Sequence, residues 1–242
     1  MVTEAKEAIV YSALTGSFTF LGAILLLCFS LTKRIIAFSL GLSAGVMLIV
    51  SYFALLPPAF VYGGAFHLSV GMGAAVLFML LLRQIPFSKV GSKEESSRFD
   101  RLAFFLAIAV ALHNAPEGAA MGIGYRMDPD MGHILAIAMA IHNIPEGIGL
   151  AAPLIAARRH PLVIGIVGLL CGAALPAGAW LGIRYLTGSP DILSAGLVFA
   201  ASTMIWVVVC EICPRAFGLD KIMACIGTGT GILLMYIIHL FH

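Results

Sequence analysis

The chain has 242 residues, of which 61% are apolar and 11% charged, and a mean hydropathy of +1.04, values that exclude a soluble globular domain. A net charge of +2 with no Lys/Arg run interleaved with aromatics excludes a nucleic-acid-binding surface. Five cysteines, at positions 28, 171, 210, 213 and 225, all fall in or beside apolar stretches, so they read as small buried hydrophobes and not as a disulfide framework.

A hydrocarbon core about 30 Å thick needs roughly 20 apolar residues per helical crossing. Eight runs meet that length, at 8–31, 36–56, 65–82, 102–124, 133–157, 161–184, 192–213 and 221–241. Backbone groups in lipid must be satisfied within the segment, so these runs predict helices. The fold class is therefore all-α, a polytopic membrane bundle with residues 1–242 forming a single transmembrane domain. The first run follows a mixed Glu4, Lys6, Glu7 head and has no small-x-small cleavage site, so it reads as a retained span. Short connections make sequence neighbours antiparallel neighbours in space. Eleven basic residues fall in the connections after spans one, three, five and seven, against Lys6, Arg126 and Arg184 on the opposite side. By the positive-inside rule both termini then lie outside. The stretch 83–101, with its Gly-Ser-Lys-Glu-Glu-Ser-Ser segment, reads as a flexible cytoplasmic linker.

Nine of the twelve acidic residues fall in termini and loops, leaving Glu117, Glu146 and Glu211 in or at the edge of spans, and no Lys or Arg lies mid-span. A carboxylate at the bilayer centre costs about 2.5–3.5 kcal/mol on the insertion scale, so it persists where it has a polar path and a partner. With no cationic side chain at hand, the partner is a proton or a metal ion. Glu211 precedes Pro214, and its span could equally end there and leave the carboxylate in the interface. Cys210 and Cys213 flank it at a spacing that either packs or lets a thiol reach a soft ion.

Two consecutive spans repeat one polar motif: His113-Asn114-Ala115-Pro116-Glu117-Gly118 and His142-Asn143-Ile144-Pro145-Glu146-Gly147. On a helix, His at i and Glu at i+4 are about 40° apart with a rise of about 6 Å, and Asn at i+1 stays on the same stripe. Antiparallel packing brings both stripes to similar depth, and two facing stripes make one pocket. Pro116 and Pro145 unpair the carbonyls of Leu112 and Ile141, adding oxygen donors and predicting kinked or broken helices. Imidazole nitrogen with carboxylate, amide and carbonyl oxygen suits Zn²⁺, Fe²⁺, Mn²⁺ or Co²⁺, and Cd²⁺ is a further candidate. No organic cofactor is implied. Interhelical hydrogen bonding and a proton relay are the other readings of the doubled motif. His67, His133, His160, His239 and His242 sit near span ends and are assigned no role, and the Gly41/Gly45, Gly71/Gly73 and Gly227/Gly229/Gly231 clusters read as helix-contact positions.

On these paired motifs the chain closely resembles the ZIP (Zrt/Irt-like) family of divalent-metal transporters, in particular its compact prokaryotic members. The resemblance spans the chain, from the eight runs to Glu211 in the Cys210-Glu211-Ile212-Cys213-Pro214 segment. It implies a metal site, often binuclear, with His113, Glu117 and Glu146 as primary ligands and Asn114, His142, Asn143 and Glu211 completing or bridging a second position. It also implies zinc import toward the cytoplasm across a prokaryotic inner membrane, often by a homodimer. The chain departs from the pattern at Leu55-Leu56-Pro57-Pro58-Ala59, which lacks the acid many relatives carry there, and in its linker, which has no His. An intramembrane zinc-dependent hydrolase and a proton-coupled carrier of an organic solute are the rival functions. The first lacks a His-Glu-x-x-His pattern.

Overall fold

The computed structural model describes residues 2–29, 32–84, 94–127, 129–186 and 188–240. Among the described residues there is no strand. The helices are α1 (Val2–Leu25), α2 (Lys33–Ile49), α3 (Leu56–Tyr62), α4 (Ala65–Arg83), α5 (Glu94–Met127), α6 (Pro129–Ala156), α7 (Pro161–Leu181), α8 (Pro190–Val207), α9 (Cys213–Leu219) and α10 (Lys221–Leu240). Their boundaries follow local chemistry. Thr32 caps α2 by accepting from Ile35 N at 3.2 Å, His160 Nδ1 does the same for α7 from Leu162 N at 3.2 Å, and Pro161 and Pro190 open α7 and α8. At the end of α6, Arg158 takes a left-handed φ of 58° while Arg159 N donates back to Leu154 O at 2.9 Å.

Seven helical stretches among the described residues are long and apolar enough to cross a membrane: Ala5–Cys28, Lys33–Val61, Ala65–Arg83, Arg98–Tyr125, Pro161–Leu186, Pro190–Leu219 and Lys221–Ile238. The stretch 133–157, expected as the fifth span, lies almost entirely in the 28-residue α6, several of whose side chains are outside the described set. Three expectations change. Residues 94–101 are helical instead of linker, because α5 starts at Glu94 and runs on to Met127. Residues 85–93 lie outside the described residues. Helices α5 and α6 run unbroken through Pro116, Pro145 and Pro153. Cys28 and Cys225 are exposed on the apolar surface, while Cys171 is buried.

Other helices are interrupted by π-helical turns. One joins α2 to α3 (Val50–Leu55), one follows α7 (Gly182–Leu186) and one joins α8 to α9 (Val208–Ile212). The first and third expose an internal repeat. A 17-residue helix, a π turn and a 7-residue helix (α2 to α3) match an 18-residue helix, a π turn and a 7-residue helix (α8 to α9). Pairing α1 with α7, α4 with α10 and α5 with α6 completes the correspondence, and the packing obeys it: α1 lies on α6 and α7 on α5, α2 on α10 and α8 on α4, α2 on α6 and α8 on α5. The pairs Gly16/Gly172, Gly22/Gly178, Pro58/Pro214, Gly71/Gly227 and Gly73/Gly229 are each separated by the same length of chain.

Close backbone approach explains the glycine clusters. A Cβ at Gly41 or Gly45 would overlap the carbonyls of Ala224 or Thr228, and one at Gly227 or Gly231 those of Phe38 or Leu42, so α2 and α10 pack backbone to backbone. Gly73 and Gly229 face open space and make no such contact.

Candidate metal site

The two motif helices lie against each other, and their stripes meet. His113 Nε2 of α5 contacts Glu146 Oε1 of α6, and His142 Nε2 of α6 lies 3.5 Å from Glu117 Oε2 of α5. The pairing is crossed, each histidine reaching the other helix's glutamate, because opposed i and i+4 positions on antiparallel helices exchange places. All four side chains are buried, His113 and Glu117 completely. His142 and Glu117 are close enough to pair electrostatically but are not aligned as a hydrogen bond. Among the described residues these groups stand as two crossed pairs and not as a ready-made cage of three or more His, Cys, Asp or Glu side chains.

The asparagines are oriented by the neighbouring helices. Asn114 Nδ2 donates to Cys171 O of α7 at 3.1 Å, and Asn143 Nδ2 donates to Thr15 O of α1 at 3.0 Å. Cys171 and Thr15 are themselves repeat counterparts, so α1 and α7 make the same contact twice. The motif glycines seal both contacts one turn on, since a Cβ at Gly118 would overlap Leu175 O and one at Gly147 would overlap Thr19 O. With each amide NH₂ committed outward, each amide oxygen is left for the pocket.

Seven of the ten buried side-chain N and O atoms without a hydrogen-bond partner, among the described residues, belong to the motifs: His113 Nδ1, Asn114 Oδ1, both oxygens of Glu117, His142 Nε2, Asn143 Oδ1 and Glu146 Oε2. Each such atom costs about 1–3 kcal/mol where it is left unmet. Five of the seven are oxygen acceptors, and the other two are imidazole nitrogens that ligate when deprotonated. Such a concentration of lone pairs is the donor set for a divalent cation of intermediate hardness.

Glu211 is placed differently. It sits in the π turn Val208–Ile212 inside the continuous path Pro190–Leu219, so the span does not end at Pro214. Its Oε1 accepts from Arg83 Nε at 3.0 Å and Nη2 at 2.9 Å, and the same guanidinium lies 5.6 Å from the centre of the Trp206 ring. The expectation that no cationic side chain reaches an intramembrane carboxylate is therefore corrected. Arg83 ends α4, and its long stem carries the charge inward.

Residues 87–239, a stretch holding both motifs and Glu211, match the sequence profile of the ZIP Zinc transporter family. Over 232 residues the chain is 32% identical to a zinc transporter ZupT of Chlorobium limicola, covering 86% of this chain and 87% of the relative. It is 33% identical over 231 residues to a ZupT of an Enterobacter species (88% and 87%), and 33% identical over 229 residues to one from Escherichia coli (88% and 87%). The chain belongs to the ZIP zinc transporter family. It is a transporter and not an enzyme, which removes the intramembrane hydrolase, and this ZIP chain is an integral multi-pass membrane protein. Sequence reading missed Arg83, the carbonyls of Thr15 and Cys171, and the buried Thr19 hydroxyl. The repeated glycine spacing was the available signal for the α1 and α7 contacts. Arg83 carried no local signal.

Proposed function

We propose that this chain carries divalent transition-metal cations, zinc foremost, toward the cytoplasm through a midplane site between α5 and α6. His113, Asn114, Glu117, His142, Asn143 and Glu146 replace the ion's water there. The single observation that carries the reading is the pair of crossed, buried His–Glu contacts surrounded by unmet oxygen and nitrogen lone pairs. An arriving cation exchanges those contacts for its own, and the mixed donor set lets it leave again. Fe²⁺, Mn²⁺, Co²⁺ and Cd²⁺ fit the same donors.

Around that site the chain is one domain of eight spans with both termini outside, in the cytoplasmic membrane of a prokaryote, and it works alone or as a homodimer. A cysteine placed in the 83–101 stretch is then labelled only from the cytoplasmic side, and labelling from outside overturns the orientation. The deciding experiment for function is reconstitution into liposomes holding a fluorescent zinc indicator, comparing the parent with Glu117→Gln. Zinc influx by the parent that is lost in the variant supports transport and the site together. Zinc bound tightly by a parent that moves none refutes transport, and uptake of an organic solute insensitive to chelators would point to the proton-coupled carrier.

A further inference from the structure

We propose that Arg83 is a positioning residue that holds Glu211 out of the metal's coordination, so that in this chain Glu211 is a counter-ion and not a standing zinc ligand. The inference rests on the transport reading above and concerns the inner end of the path.

Glu211 is buried, yet it contacts an arginine where the motif glutamates contact histidines. A histidine can surrender its proton and its partner to a metal, whereas a guanidinium stays charged at every accessible pH. The two nitrogens of Arg83 grip one carboxylate oxygen, and Trp206 supports the guanidinium through its ring face. A divalent cation that took Glu211 through that oxygen would have to displace a charged guanidinium seated on the partly buried Trp206 ring. Position along the path agrees. Arg215, one helical turn beyond Glu211, lies within electrostatic reach of Arg98 and Arg101 near the start of α5, and His113 is about 18 Å further along that helix. The carboxylate is therefore below the motif pocket, on the side where the basic residues collect. An unpaired acid there would trap a departing cation, and Arg83 cancels it. The corresponding place in the first half of the chain holds the buried Leu55, which has no charge to cancel.

The test measures initial zinc influx against zinc concentration in proteoliposomes for the parent, Arg83→Gln, Arg83→Lys, Glu211→Gln and the double variant Arg83→Gln/Glu211→Gln. Arg83→Gln is expected to lower both the turnover and the half-saturating zinc concentration severalfold, since a freed carboxylate holds zinc on its way out. The double variant is expected to return both toward the parent, and Arg83→Lys to fall between. A loss of folded protein lowers only the maximal rate, so the fall in half-saturation separates positioning from damage. Unchanged half-saturation in Arg83→Gln overturns the proposal. So does a Glu211→Gln that raises half-saturation severalfold, a result available even if Arg83→Gln does not fold, because it would make Glu211 a ligand in spite of its arginine. Failure of the transport reading is seen separately, as a parent that moves no zinc.

Discussion

The middle of the bundle and the end that carries Arg83 obey different rules. In the middle the two halves of the chain repeat each other contact for contact: Asn114 on Cys171 O matches Asn143 on Thr15 O, and the closely packed Gly118 and Gly147 sit on Leu175 and Thr19. At the π turns the repeat is broken, with Leu55 in one half and an arginine-bound Glu211 in the other. A symmetric pocket gives an ion the same donors from either side, so it defines what is bound but not which way it leaves. Direction has to come from the parts that differ. The end that carries Arg83 is cross-braced by Arg83 on Glu211, Arg159 on Asp100 and Arg34 on Asp220, each through a guanidinium, whereas Asp191 pairs with the imidazole of His67.

Breaking the symmetric pocket has the largest expected effect. Glu117→Gln and Glu146→Gln are each expected to cut zinc influx by about tenfold or more, the factor that one lost ligand worth about 1.4 kcal/mol implies. If the two crossed pairs are one pocket, the double variant loses little more zinc affinity than the worse single one. Full additivity in a binding titration would mean two separate sites. A smaller effect follows from Gly118→Ala and Gly147→Ala. Each added methyl meets a backbone oxygen of a neighbouring helix, costing about 1–3 kcal/mol of stability. Thermal unfolding in detergent checks this, and the repeat predicts matching losses. A clear drop for one glycine alone would break the equivalence of α1 and α7. Asn114→Ala and Asn143→Ala each remove one interhelical hydrogen bond, worth about 0.6 kcal/mol in a membrane helix bundle. Here too the two melting shifts are expected to agree, with a separate loss of zinc affinity from the missing amide oxygen.

Most of the fold and the paired motifs of the candidate site are legible in the sequence, for reasons that also explain what is not. Membrane helices are dictated by length and apolarity, and both are local. The paired motifs stood out because His, Asn and Glu are expensive in lipid and here occur twice at one spacing. Their crossed geometry follows from antiparallel packing alone. The repeat between the first and last thirds is hidden because it survives in scattered glycines and one proline, three of the four glycine pairs lying at tight backbone contacts that tolerate nothing larger, while the lipid-facing positions between them are free to vary. The π turns carry no residue signature of their own. Arg83 reads as a loop charge because it ends a span, and only the tertiary fold shows its stem bringing the guanidinium to Glu211, far away along the chain.

The smallest expected effect sharpens the contrast within the Arg83 end itself. Arg159 and Asp100 also form a two-bond pair, at 2.7 and 2.9 Å, but one that uses both carboxylate oxygens where Arg83 holds a single oxygen of Glu211. The exposures are close, 53% and 17% for Arg159 and Asp100 against 40% and 11% for Arg83 and Glu211, so place separates the pairs: Glu211 sits in a π turn within a membrane-spanning stretch, whereas Arg159 lies beyond the end of α6. A solvated pair contributes at most about 1 kcal/mol and is screened by salt. Asp100 raises the Arg159 guanidinium further above its ordinary value through its hydrogen bonds and charge. Stability from a raised group is present below its unfolded value and lost only as pH rises through the folded one, so Arg159 adds no pH step to a transport assay near neutrality. Asp100→Asn is therefore expected to shift the melting temperature slightly, less so at high salt, and to leave half-saturating zinc where it was. If it moved half-saturation as far as Arg83→Gln, any inner ion pair would serve as well as any other. The distinction between a brace at the surface and a counter-ion on the path would then collapse.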